Sequence, residues 1–231
     1  MNNFCPSWFY GKDILIDLVS MIVLLCIGYF SFQYHKLDKK RPGYSLFTVS
    51  FLLLSIAFIF KILTNFTIYY TATITQQIGI FTLTHQGVQS SDIFSVWGTL
   101  LFRTLTLLGF YLLYTHYYKK QERTTIIFVI YLLLITTYFS RIAYYIFHAT
   151  LLLLLLYISY QQYQNYQRTK DKPAQMVFYS FITIALSQLT FIFMGTNQLY
   201  YVLAEMIQLI GYTLLLVSFL MVLHHGKKNK K

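Results

Sequence analysis

Residues 93–115 read IFSVWGTLLFRTLTLLGFYLLYT, an apolar run interrupted by a single cation, Arg103. Asp92 precedes the run, and His116, Tyr118, Lys119 and Lys120 follow it. Roughly 20 apolar residues rising 1.5 Å each cross about 30 Å of hydrocarbon, so the stretch predicts one transmembrane helix. A cation near the centre of such a helix costs on the order of 3 kcal/mol against lipid, so Arg103 is expected to face protein or water. Helical spacing puts Thr99, Arg103 and Thr106 on one side as a narrow polar stripe, which the remaining helices are expected to surround.

The rest of the chain agrees with a membrane setting. It has 231 residues, of which 57% are hydrophobic and 11% charged, against about 25% charged in soluble domains. The net charge is +11, but of the 18 Lys and Arg all except Lys12, Lys61, Arg103 and Arg141 fall in four short segments: HKLDKKRPG, YYKKQER, QRTKDK and the tail HHGKKNKK. These lie on one side of a seven-span threading, which is the positive-inside pattern of a chain facing an anionic inner leaflet and not a nucleic-acid surface. Cys5 and Cys26 sit at different depths and are not expected to pair. There is no Cys/His zinc spacing. Positive charge follows the first apolar run instead of preceding it, so that run is expected to stay as a helix and not be cleaved as a signal peptide.

The predicted fold is an all-α integral membrane bundle of seven transmembrane helices, amino terminus outside and carboxyl terminus inside. The spans are 13–34, 44–65, 93–115, 124–140, 141–160, 174–194 and 199–223, with a basic cytoplasmic tail at 224–231. Residues 1–12 form a nearly uncharged outer tail with Trp8 and Phe9 suited to the interface. Residues 66–91 hold no Lys, Arg, Asp or Glu and are placed outside. The stretch TIYYTATITQQIGIFTLTH within them is rich in Thr, Ile and Tyr, so it reads either as an extended hairpin lid or as a longer second helix followed by irregular chain. Asn65–Phe66–Thr67 matches a glycosylation acceptor pattern, although its position beside the membrane argues against modification. Pro173 is expected to stop the fifth helix, which continues past the span through QQYQNYQRTK.

Polar residues inside the spans form a one-sided set. Asp13, Asp17 and Ser20 share a face of the first span, Lys61 and Asn65 one of the second, and Arg141, Tyr145 and His148 one of the fifth. Gln188 lies in the outer part of the sixth. Tyr201, Glu205, Gln208 and Tyr212 line the seventh. Counted from the outer ends, Asp17, Lys61, His148, Gln188 and Glu205 lie about 5–15 Å deep, with Arg103 deeper. Groups of both signs at similar depth predict an outward-facing pocket for a small-molecule ligand, built from Asp17, Lys61, Arg103, His148, Gln188 and Glu205, with Arg103 drawing anions and Glu205 its counter-charge. The alternative is a structural layer of ion pairs, Glu205 with Arg103 and Asp17 with Lys61.

His35, His116, His224 and His225 collect at the inner boundary, where headgroups account for them without a metal. No HExxH, phosphate loop, GxSxG elbow or paired-carboxylate motif is present, so no enzyme, cofactor or metal is expected. The seventh span carries no lysine for a retinal Schiff base. All three prolines lie outside the spans, which favours continuous helices over the broken ones common in transporters.

The segments LLSIAFIFKILTNFTIYY and LLFRTLTLLGFYLLY resemble those of small, uncharacterised seven-helix membrane proteins of archaeal type. In layout the chain is similar to the seven-helix sensory modules that precede histidine kinases or cyclases in prokaryotes. The resemblance implies a multi-pass protein of a prokaryotic plasma membrane with a receptor-like or sensor-like role. No kinase, cyclase or receiver domain follows His225, so output is expected through a separate cytoplasmic or membrane partner. A small-solute or ion transporter or channel is the alternative. A third reading is an accessory subunit of a membrane complex, using small-residue stripes at Gly98 and Gly109 on a lipid-facing surface.

Overall fold

The computed structural model describes residues 5–37, 43–77, 87–117, 123–140 and 143–228. Among them the regular structure is entirely helical: α1 Lys12–Leu37, α2 Gly43–Gln77, α3 Gly87–Tyr117, α4 Arg123–Phe139, α5 Tyr144–Thr169, α6 Lys172–Ile192 and α7 Leu199–Lys228. Short 3-10 turns at Ser7–Phe9 and Phe193–Gly195 precede α1 and follow α6. Helices satisfy every backbone N–H and C=O within one segment, which hydrocarbon surroundings demand. Six of them, all but α4, contain stretches long and apolar enough to cross a membrane. By length and composition this is a multi-pass membrane protein.

The helices form a ring. α1 packs on α2, α2 on α3, α3 on α5, α5 on α6 and α6 on α7, and α7 returns to α1. α4 is set apart, touching α3 and α5. The starts of α3 and α5 lie at the same end of the ring, as do those of α7 and α1, so these pairs run parallel. The other ring pairs are antiparallel. The inner wall is aromatic and aliphatic: Leu24, Ile27, Phe51, Leu54, Phe58, Leu107, Phe110, Leu155, Ile184 and Leu215 are buried. Leu15, Leu153, Leu186 and Ile210 point outward, the arrangement expected of a surface solvated by lipid chains.

Several boundaries differ from the sequence reading. Residues 66–77 continue α2, the longer second helix of the two readings. β-branched content is a weak preference, and extending an existing helix adds a hydrogen bond for each residue ordered. Thr67, for example, returns its hydroxyl to Leu63 O. The remainder of the suggested lid, 78–86, lies outside the described residues, as does Arg141. α3 starts at Gly87, ahead of the expected boundary at residue 93. α5 starts at Tyr144 and runs through Thr169, where Lys170 takes a left-handed conformation (φ 53°) and its N–H closes on Tyr166 O at 2.7 Å. Pro173 then falls in the first turn of α6, where its missing N–H is harmless.

Gly98 and Gly109, read from sequence as an outer stripe, lie instead against α2. A Cβ at Gly98 would meet Thr64, and one at Gly109 would sit 2.8 Å from Leu54 Cγ and 3.2 Å from Ser50 O. Lipid tails are as apolar as leucine, so close backbone approach is what holds membrane helices together. These glycines serve that purpose within the chain. Gly211 does the same between α7 and α6, where a Cβ would lie 2.5 Å from Ile184 Cγ1 and 3.1 Å from Ile184 N.

Gly211→Ala is therefore expected to destabilise the bundle by about 1–3 kcal/mol, the range for overpacking. Gly28→Ala, whose nearest neighbours would be at 3.6 Å, should be neutral or slightly stabilising. Denaturant unfolding of the two variants in the same detergent checks the contrast, and equal midpoints would refute it.

Candidate functional site

The buried charge is concentrated where the starts of α1, α5 and α7 meet the middles of α2 and α3 and the later part of α6. On α1, Asp13 and Asp17 are one turn apart, and both are fully buried. On α2, Lys61 Nζ lies 2.6 Å from Asp17 Oδ1 and 2.6 Å from Glu205 Oε1 of α7. One turn on, Asn65 Nδ2 donates to Asp13 Oδ2 at 3.1 Å and approaches Asp17 Oδ2 at 3.5 Å. Tyr201 donates its hydroxyl to Asp13 Oδ2 at 3.4 Å. Carboxylates this deep survive only when paired and hydrogen-bonded, and here one ammonium joins helices from three places in the chain.

Arg103 has a different environment. Its Nη1 donates to Ser140 O at 2.6 Å and to Ser140 Oγ at 2.9 Å, just past the end of α4. The Ser140 hydroxyl can accept because its own proton goes to Thr137 O. The guanidinium carbon stands 5.6 Å from the centroid of Phe147. Among the described residues, no carboxylate pairs with Arg103. The expected Arg103–Glu205 pair is thus corrected: Glu205 belongs to Lys61, while the Asp17–Lys61 pair is present as one reading had it. Depth follows from position along a span, whereas the rotation of one helix against another does not, and the long lysine stem lets α2 reach both α1 and α7.

Between these clusters lies a cavity of about 150 Å³. Four of the six expected site residues line it: Lys61, Arg103, His148 and Gln188. Asp17 and Glu205 do not line it and instead hold Lys61 from behind. The whole Thr99–Arg103–Thr106 stripe faces the cavity. Thr99 and Thr106 donate their hydroxyl protons to Ser95 O and Phe102 O, so only their oxygen lone pairs remain for an occupant. His148 Nδ1 is 2.9 Å from Gln188 Oε1, and its ring stacks on Phe191 with centroids 4.8 Å apart. Lys61 Nζ lies over Phe58 and Phe102 at 5.5 and 5.8 Å. Tyr145, expected to share His148's face, is exposed; Tyr144 points inward, donating to Ile192 O and accepting from Gly195 N.

Several contributors carry no signal in the sequence. Nothing matches Ser140 to Arg103 across a turn, and the aromatic walls Phe58, Phe102, Phe147 and Phe191 look like any other core residues. Phe9 is buried against Tyr201, with centroids 6.5 Å apart, while Trp8 is exposed. The amino-terminal turn therefore packs on this end of the bundle. Asn65, the glycosylation candidate, has its amide committed to Asp13 and Asp17. Among the described residues, no group of three or more His, Cys, Asp and Glu is placed to hold a metal ion.

No protein-family model, curated protein or solved structure matches the chain.

Lys61→Met leaves two buried carboxylates without their cation and is expected to cost about 3–5 kcal/mol of stability, as broken buried pairs do. Glu205→Gln should cost less, because Lys61 keeps Asp17. The triple variant Asp17→Asn, Lys61→Met, Glu205→Gln should regain most of the loss. Thermal unfolding of the three proteins gives the order, and a triple variant no better than Lys61→Met would contradict it.

Proposed function

We propose that the chain is a receptor-like or sensor-like membrane protein of seven spans, amino terminus outside, that binds a small molecule in the cavity between α2, α3, α5, α6 and α7 and signals through a separate partner. The orientation is supported by the clustering of Lys and Arg in the segments that join the helices away from the cavity, where an anionic inner leaflet would meet them. α4, at 17 residues, would rise about 25 Å, enough for a short crossing beside α3 and α5.

The observation that carries the reading is a cavity lined by charged and amide side chains from several helices but closed beneath by apolar ones. One turn further along, Leu54, Leu107, Phe110, Leu155 and Leu215 are all buried. Hydroxyls in that half, such as Ser159, Ser180 and Ser218, donate back to their own helices. A polar chamber over a dry floor suits ligand binding better than passage, so the transporter reading ranks second. The accessory-subunit reading loses Gly98 and Gly109 as docking stripes. The exposed tyrosines along α5, Tyr157 and Tyr160 at the inner end of its span and Tyr163 on the extension beyond it, offer a contact surface for the partner.

Thr99→Phe fills the cavity from α3. Wild-type protein is expected to retain a small molecule detectable by mass spectrometry after denaturation, and the variant to lose it while keeping its unfolding temperature. A retained molecule indifferent to Thr99→Phe would place binding elsewhere. In liposomes under an imposed solute or ion gradient no flux is expected; movement abolished by Glu205→Gln would establish the transporter instead. Cysteines introduced near the two termini should label from opposite sides of the membrane, as an odd number of spans requires, and labelling from one side would exclude seven.

A further inference from the structure

The two cations of the cavity are not equivalent. Lys61 has two carboxylates at 2.6 Å, so its single charge is more than matched within the protein. Arg103 meets only the neutral oxygens of Ser140, both through Nη1. Among the described residues, its Nη2 and Nε have no acceptor. The guanidinium is fixed at one corner by Ser140 and on one face by Phe147, and it lines the cavity.

We infer that Arg103 is the receptor group for the carboxylate of a small, flat, largely apolar organic acid bound in this cavity. The inference rests on the binding role proposed above and names the ligand class for that site. A guanidinium offers parallel N–H donors that match the two oxygens of a carboxylate, and such charge-assisted pairs are roughly twice as strong as neutral hydrogen bonds. A cation held in an apolar bundle without a counter-ion is costly, and an incoming anion removes that cost. The body of the ligand is set by the walls. Phe58, Phe102, Phe147, Phe191 and Tyr212 surround the space, and a cavity of this order takes a molecule the size of benzene. A cationic ligand finds no carboxylate in the lining: Asp17 and Glu205 accept from Lys61 and do not line the cavity.

The test uses the full chain in lipid nanodiscs, with calorimetric titration of benzoate, its neutral counterpart benzamide and the cation benzylamine. Wild type is expected to bind benzoate at least about tenfold more tightly than either other probe, the scale of one charge-assisted bidentate contact. Arg103→Gln should abolish that preference. Should this variant not fold, Arg103→Lys keeps the charge without the fork and should weaken benzoate by about tenfold. Thr99→Phe should remove all binding. Benzamide or benzylamine binding as well as benzoate, and lost in Thr99→Phe, overturns the acid assignment while leaving a binding cavity. Benzoate binding that survives both Arg103 variants overturns the role of Arg103. Absence of binding by all three probes overturns the inference, and retention of a different molecule in the mass-spectrometric experiment then shows whether the broader binding role stands.

Discussion

A single ammonium group, Lys61, ties the ring together. In lipid there is no hydrophobic gain from bringing one apolar helix against another, so polar contacts and tight packing select the arrangement. Lys61 joins α2 to α1 through Asp17 and to α7 through Glu205, fixing the rotation of three helices at one level. Asn65 and Tyr201 extend the same network to Asp13. With those rotations set, the glycines at 98, 109 and 211 fall at helix contacts, and the cavity opens on the far side of the lysine.

The same arrangement separates structural charge from available charge. Asp17 and Glu205 have been drawn into the frame, whereas Arg103 is anchored by neutral oxygens. A sequence shows both cations as ionisable residues inside apolar spans. Only packing reveals that one is fully matched and the other has donors to spare. This distinction turns a collection of intramembrane polar groups into a chamber with a defined electrostatic character.

Much of the fold was legible because the bilayer imposes simple rules. Apolar runs of about 20 residues mark the six long helices, and loop charge suggests how they thread. The stripe Thr99–Arg103–Thr106 and the face Asp13–Asp17–Ser20 follow from helical periodicity alone, and both point inward in the structure. Pairing across helices was less legible. Glu205 could reach either Lys61 or Arg103 on depth alone, and the choice depends on the position of α2 in the ring. The 66–77 segment leaves two readings open because Thr and Tyr suit strands in water-exposed sheets, while here an existing helix simply continues. Placing α4 outside the ring was also beyond sequence, since its composition resembles that of its neighbours.

The buried Phe9 has a practical consequence for anyone handling the protein. This ring rests on Tyr201, which is itself a wall of the chamber and a donor to Asp13. A bulky insertion beside Phe9 would pry at that contact. Affinity handles and fluorescent reporters therefore belong away from this turn, towards the far end of α7.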